Sequence, residues 1–374
     1  MILPLSHEER PVIKHLYVHV PFCTHICPYC SFYKTPNSLP QINVYIPALK
    51  QELAWALENF DLQPETIFFG GGTPSALSIS QLETLFSDWP LASQPTQEYT
   101  LEANPTNISP DKARLLREIG FNRISLGVQA FDAPSLEVLG RTHDAAQVRK
   151  TVHILREAGF TNLNLDLMFA LPGQSMEQWQ ASLDAALELE PQHISAYNLN
   201  YEEDTEFFEK LQAGYHRINQ DQEQTFFRRG IESLGRAGFE HYEISNYARP
   251  GFQSSHNQGY WNGSDHLGLG PGASSTVGHL RWKNIPNTLL YAEALKLKGE
   301  PLREMEVLSA ESKRNERILL GLRTSRGLKR DVVEEKKEQV AQLEKEGLIE
   351  LTETHLRLTS AGQLVADSVT EHLI

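Results

Sequence analysis

The three cysteines of this chain, Cys23, Cys27 and Cys30, lie within eight residues in the order C-x3-C-x2-C. An odd number of thiols packed so closely cannot form a disulfide framework. They read instead as a metal or cluster site in a reducing compartment, which predicts a cytoplasmic protein. Three thiolates cannot close a tetrahedral zinc site without a fourth ligand, for which His19 and His25 are candidates. They can hold three irons of a cubane cluster and leave the fourth iron open to a substrate or cofactor. Tyr29, next to the last cysteine, would set an aromatic face beside such a site.

A loop of this kind must be held by rigid elements. Short β-branched and aromatic runs (Leu16–Val20, Thr66–Phe69, Tyr99–Ala103, Arg123–Gln129, Asn162–Met168 and His193–Asn198) alternate with segments of helical spacing, including Val44–Asn59, Asp111–Ile119 and Met176–Leu189. Ser109-Pro110-Asp111 carries the signals of a helix start, and Gly120 and Gly159 follow helix ends. Six strand–helix units predict a parallel sheet with right-handed crossovers. The fold class is therefore α/β, a partial six-unit (βα) barrel. Ligands gather at the carboxyl ends of such strands. There the sequence places the cysteines, then Gly70-Gly71-Gly72-Thr73-Pro74, Glu102, Gln129 and Asp166. Asp166 stands in an otherwise apolar run, where an unpaired carboxylate is costly. Polar residues also occur in ordinary βα loops. Arg141 could be a surface residue and Tyr17 plain core.

The chain has 374 residues, 40% of them hydrophobic, and a net charge of −14. That balance disfavours a nucleic-acid partner. No apolar run reaches the ~20 residues of a membrane span, and Met1–Arg10 lacks the apolar core of a secretory signal. The expected organisation is a barrel over residues 1–245, a glycine- and aromatic-rich connecting region without helical spacing over 246–305, and a small winged-helix-like α+β domain over 306–374. Residues 309–374 carry 11 basic and 12 acidic side chains, no footprint for DNA. A packing or lid role suits this domain better.

Tyr17 to Cys30 resembles the cluster loop of radical S-adenosylmethionine enzymes, and more narrowly the oxygen-independent coproporphyrinogen III oxidase family with its heme-chaperone relatives. The likeness extends through Gly70–Pro74, Glu102-Ala103-Asn104-Pro105, Gly127-Val128-Gln129, Gly140-Arg141-Thr142-His143 and Asp166 to Pro172-Gly173-Gln174. It implies a radical S-adenosylmethionine barrel with a [4Fe-4S] cluster on Cys23, Cys27 and Cys30. S-adenosylmethionine would chelate the open iron. Gly71, Gly72 and Thr73 would approach its methionine amine, since glycine offers no Cβ. Arg141 would pair its carboxylate and Glu102 would accept from its donors. Gln129 and Asp166 would take ribose hydroxyls, and Tyr17 and Tyr29 would wall the site. In that superfamily a reduced cluster cleaves the sulfonium to a 5′-deoxyadenosyl radical, with an electron donor as a further partner.

Three features separate the chaperone group from the oxidases. The oxidases carry a further cysteine where this chain has Phe32. The 22 residues before Cys23 are fewer than their usual extension. His256-Asn257-Gln258-Gly259-Tyr260-Trp261 matches the H-N-x-x-Y-W signature of the chaperones. A neutral imidazole can ligate heme iron, and Tyr260 and Trp261 offer flat apolar area, with Asn257 beside them. Read alone, His256 could be a hydrogen-bonded loop residue and the aromatics core. Gly268–Ala273 predicts a tight loop against a planar ligand or against the barrel. The resemblance implies heme as a third ligand and heme-accepting hemoproteins as partners. A homodimer is compatible with it. The runner-up is the oxidase, which decarboxylates propionates. A zinc-stabilised α/β protein without radical chemistry is the third reading.

Overall fold

The structure is a computed structural model, and it describes residues 10–91, 97–214 and 218–374. All but the last residue of Met1–Arg10, read above as no secretory signal, lies outside them.

Strand β1 (Val12–Val20) runs into the cysteine loop. The base of that loop is closed by two-residue strands β2 (Phe22–Cys23) and β3 (Thr35–Pro36), paired in parallel. There follow α1 (Leu39–Asn59), β4 (Asp61–Gly71), α2 (Ile79–Phe86), β5 (Glu98–Ala103), α3 (Pro110–Ile119), β6 (Arg123–Gln129), α4 (Ala133–Val138), α5 (Ala145–Glu157), β7 (Asn162–Phe169), α6 (Met176–Leu187) and β8 (His193–Asn198). The six strands β1 and β4–β8 lie side by side and parallel. This is the α/β partial barrel expected from the alternation. Local signals act as read: Ser109 caps α3 by accepting from Lys112 N, and Gly120 ends it in the left-handed region at φ +112°.

Helices α7 (Glu206–Gln212) and α8 (Gln220–Arg236) lead to strands β9 (Glu240–Glu243) and β10 (Asn246–Ala248), which extend the β8 edge antiparallel. The stretch expected to lack helical spacing holds a short helix, α9 (Ser255–Trp261), within the H-N-x-x-Y-W motif. It also holds β11 (His266–Leu269), a seventh parallel strand on the free side of β1, followed by antiparallel β12 (Ser274–Val277), β13 (Leu280–Asn284) and β14 (Arg303–Val307). The region therefore continues the same 12-stranded sheet. Its strands of four or five residues are too short for a period to show in sequence.

The glycine loop 268–273 packs on the barrel. A Cβ at Gly270, where φ is +95°, would lie 2.4 Å from the His19 carbonyl oxygen. A buried carboxylate pins this added sheet to α1. Glu52 accepts from Gly270 N (2.7 Å), Asn284 Nδ2 (2.7 Å) and the Tyr291 hydroxyl (2.6 Å) of α10 (Thr288–Lys298).

The C-terminal part has its own core of Ile318, Leu322, Leu343, Leu356 and Leu373. It comprises α11 (Ala310–Leu322), β15 (Leu328–Lys329), α12 (Lys337–Lys345), β16 (Ile349–Leu351), β17 (His355–Leu358), α13 (Ser360–Gln363) and α14 (Ala366–Leu373). The sheet has three strands in the order β15-β17-β16, one more than the two expected. Among the described residues no helix is long and apolar enough to cross a membrane.

Removing Glu52 would leave three buried donors short of an acceptor. Glu52→Ala is expected to cost about 3 kcal/mol in urea unfolding, and Glu52→Gln, which keeps an acceptor oxygen, distinctly less.

Candidate functional site

The inward face of the barrel is polar along its length. On β6 the residues pointing in are Arg123, Ser125, Gly127 and Gln129; on β7, Asn164, Asp166 and Met168; on β8, Ser195 and Tyr197. A packed barrel interior would carry branched apolar side chains at such positions. Here they enclose a cavity of about 540 Å³. Its lining takes in Cys23, Cys27, Cys30, Tyr17, Tyr29, Gly71, Gly72, Thr73, Glu102, Gln129, Arg141, Asp166, His256, Asn257 and Tyr260. Of the residues assigned above to the cluster, S-adenosylmethionine and heme, only Trp261 is not brought there. Trp261 faces a second cavity with Arg317, Arg326, Lys329 and His355, and the Arg323 guanidinium lies over its ring. On a short helix the last residue of the motif projects toward the C-terminal part.

The three thiols share the mouth of the cavity. Thr73 Oγ1 donates to Cys23 Sγ (3.6 Å), Arg141 Nη1 to Cys27 Sγ (3.4 Å), and Lys34 Nζ to the Cys30 carbonyl (2.5 Å). Burial pushes the Cys23 thiol up to about 11 and raises that of Cys30. Among the described residues no three of His, Cys, Asp and Glu converge on a point that could hold one metal ion. His19, a candidate fourth ligand for zinc, has both ring nitrogens engaged, by the Tyr17 hydroxyl (3.1 Å) and the Tyr33 carbonyl (2.8 Å).

Arg141 is no free surface residue. It is partly buried, and its Nη2 donates to Asn104 Oδ1 and the Gly127 carbonyl, both at 2.5 Å. Gln129 closes β6 at a bulge with φ +66°, an uncommon conformation for a residue with a side chain. Its amide folds back over Gly127, where a Cβ would stand 3.2 Å from Gln129 Nε2.

The glycine turn has a structural reason of its own. A Cβ on Gly71 (φ +105°) would meet the His19 ring at 2.4 Å, and one on Gly72 the Pro21 backbone at 2.6 Å. These glycines first let the turn lie against the end of β1. The same turn presents Gly71 N to Glu102 Oε2 at 3.1 Å.

Asp166 accepts from Ser125 Oγ (3.0 Å) and Asn164 Nδ2 (2.8 Å). Asn164 Oδ1 continues to His193 Nδ1 (2.6 Å), and His193 Nε2 to the Tyr242 hydroxyl (2.7 Å). Burial raises the Asp166 carboxyl against the pull of these donors. Burial, then the Asp166 charge, pushes Glu102 up to about 8.

His256 is buried at the foot of the cavity. Its Nδ1 shares a 2.7 Å hydrogen bond with Thr66 Oγ1, which is also 2.9 Å from His15 Nδ1. Phe68 stacks on the imidazole, with ring centroids 5.0 Å apart, and Tyr260 meets it edge-on. Nε2 has no hydrogen-bond partner. Burial holds the ring well below its ordinary value, hence neutral. Helix α9 is held in place by Glu98, which accepts from Ser255 N (2.8 Å), His256 N (3.1 Å) and Ser254 Oγ (3.1 Å). Arg123, Ser125, Asn164, Thr66 and Glu98 were not singled out from sequence. The period-two pairs Arg123/Ser125 and Asn164/Asp166 were the available signal.

The comparisons with known proteins bear on the class first. Residues 17–186 match the radical SAM superfamily, and residues 308–365 match the HemN C-terminal domain. A solved structure of coproporphyrinogen III oxidase from Escherichia coli superposes with a TM-score of 0.83, covering 98% of this chain and 91% of that one at 24% identity, a likeness of fold. The heme chaperone HemW of Bacillus subtilis is 36% identical over 372 residues, 96% of this chain and 98% of its own length. That of Lactococcus lactis is 35% identical over 374 residues, 96% of each. The chain belongs to the HemW family.

Glu102 supplies a test of the site's electrostatics. Its carboxyl stands above the ordinary 4.5, so the folded chain holds a proton that the unfolded chain releases. Stability from this group is full below pH 4.5 and is lost as pH rises to about 8. Glu102→Gln is expected to gain on wild type by about 2–4 kcal/mol across that window and no further above it. Urea unfolding at stepped pH reads the difference.

Proposed function

We propose that this protein is a heme chaperone that binds heme and passes it to acceptor hemoproteins, and that it carries a [4Fe-4S] cluster and S-adenosylmethionine. The observation that carries the reading is a single cavity with three thiols at its mouth and, at its foot, a buried neutral histidine whose Nε2 lacks a partner. Relatives that align along nearly the whole chain are named heme chaperones.

The donor set fits each group. Three thiols that share one cavity suit a cluster with an open iron, since a lone zinc would need a fourth ligand and both ring nitrogens of His19 are engaged. Cys23, Cys27 and Cys30 would hold it. When bound, cluster and S-adenosylmethionine together supply one-electron reductive chemistry. Arg141, already beside Cys27, would pair the cofactor's carboxylate. Glu102 and the Gly71–Thr73 turn would meet its amine. Gln129 and Asp166 would take the ribose hydroxyls, and Tyr17 and Tyr29 would wall the site.

Thr66 has one hydroxyl proton. If it donates to His15, then His256 Nδ1–H donates to Thr66, and the Nε2 lone pair faces the cavity. That is the tautomer a heme iron requires. Phe68 and Tyr260 would flank the ligand with apolar rings. Trp261 would act from the second cavity, outside the heme site. A cytoplasmic setting, an external electron donor and a homodimer complete the reading.

Anaerobic reconstitution should load about four irons and four sulfides per chain, and Cys27→Ala should lose most of that load. Zinc without sulfide would leave the zinc-protein reading. Heme titration should produce a Soret band that weakens at least tenfold in apparent affinity in His256→Ala. An unchanged band removes the ligand assignment, and turnover of coproporphyrinogen would replace the chaperone with the oxidase.

A further inference from the structure

The deep end of the barrel cavity holds a buried cation that no carboxylate meets through a hydrogen bond. Arg123 opens β6 and is 1% exposed. Its Nε has no hydrogen-bond partner, and among the described residues no carboxylate forms an ion pair with it. The nearby acids are committed elsewhere. Asp166 accepts from Ser125 and Asn164, Glu102 from Gly71, and Glu98 from the first turn of α9. A guanidinium withdrawn from water costs several kcal/mol unless an anion pairs with it; the fold offers only the nearby charge of Asp166, without a hydrogen bond to it. Arg123 lines the same cavity as His256 Nε2, the other buried polar group there without a partner.

The mouth of the cavity cannot use this cation. Arg123 and Gln129 are the two ends of β6, about 20 Å apart along an extended strand. A small amino-acid carboxylate beside Arg141 and Cys27 therefore stands out of reach of Arg123. A hydrogen-bonding anion for Arg123 would come from a larger ligand that enters the foot of the barrel. Heme carries two propionates on one edge of its plane. The planar fork of arginine matches a carboxylate in two parallel hydrogen bonds.

We infer that Arg123 pairs a propionate carboxylate of the bound tetrapyrrole at the foot of the barrel, in the same cavity as the His256 imidazole. The inference rests on the heme-binding reading and adds the group that recognises the acid edge of the ligand.

The test compares heme with its dimethyl ester, in which both propionates are masked, by Soret titration of the full chain. Wild type should bind the ester at least tenfold more weakly. Arg123→Gln should bind heme as weakly as wild type binds the ester and should not distinguish the two ligands. Arg123→Lys should recover part of the preference. Equal affinity of wild type for heme and ester overturns the pairing, and this arm needs no variant to fold. So does an Arg123→Gln chain that loses heme and ester in equal proportion. Arg123→Gln that leaves heme unchanged but weakens S-adenosylmethionine binding to the cluster-loaded chain also overturns it, assigning the cation to the nucleotide. If wild type binds neither heme nor ester, the chaperone reading itself has failed and the pairing goes with it. Binding of heme without preference removes the pairing alone.

Discussion

A barrel whose inner face is polar cannot be closed by its own side chains. Each inward position on β6 and β7 except Gly127 and Met168 carries a hydrogen-bonding group, and every such group must find a partner or bear the cost of burial. Some are satisfied within the wall, as in the chain from Ser125 through Asp166 and Asn164 to His193 and Tyr242. Others are left over, notably Arg123 Nε and His256 Nε2. Both of these groups line the cavity.

The two ends of that cavity are built by different means. At the mouth, irregular backbone is pressed onto the strand ends: the β2–β3 pair closes the cysteine loop, the Gly71–Gly72 turn fits where a Cβ would strike β1, and Gln129 takes a left-handed conformation to fold over Gly127. Unusual backbone of this sort persists only where its surroundings over-determine it. Arg141 ties the mouth together, contacting Cys27, Asn104 and Gly127 from one guanidinium. At the foot, regular structure does the work. Helix α9 enters on the Glu98 carboxylate, which satisfies its free first-turn N–H groups. The helix turns His256 inward and Trp261 outward.

The added sheet explains why the region after β10 matters to the site. Strand β11 joins β1 on the side away from β4, and Glu52 locks its glycine loop and α10 to α1. Strand β1 is thereby paired on both edges. Tyr17 and His19, which stand near the cysteines, sit on a strand that cannot slip. A connecting segment in sequence is a buttress in space.

Much of this was legible without coordinates. The strand–helix alternation, the Ser109 cap, the Gly120 stop and the clustering of special residues at strand ends are local signals, set by backbone sterics and by periods of 2 and 3.6 residues. What local pattern could not convey was which polar side chains would find partners. Arg123 reads as the first residue of an ordinary strand; only the closed barrel shows its guanidinium buried with Nε lacking a hydrogen-bond partner. His256 and Trp261 lie five residues apart in one motif, yet helix geometry sends them to different cavities. The glycines at 71, 72 and 270 pointed to close approach, but that it was to His19 and Pro21, not to a ligand alone, depended on contacts between distant segments. Sequence specified the elements and the chemistry available on them. Tertiary packing decided which of those groups satisfy one another and which remain for a ligand, because hydrogen-bond partnership inside a barrel is a property of neighbouring strands and not of neighbouring residues.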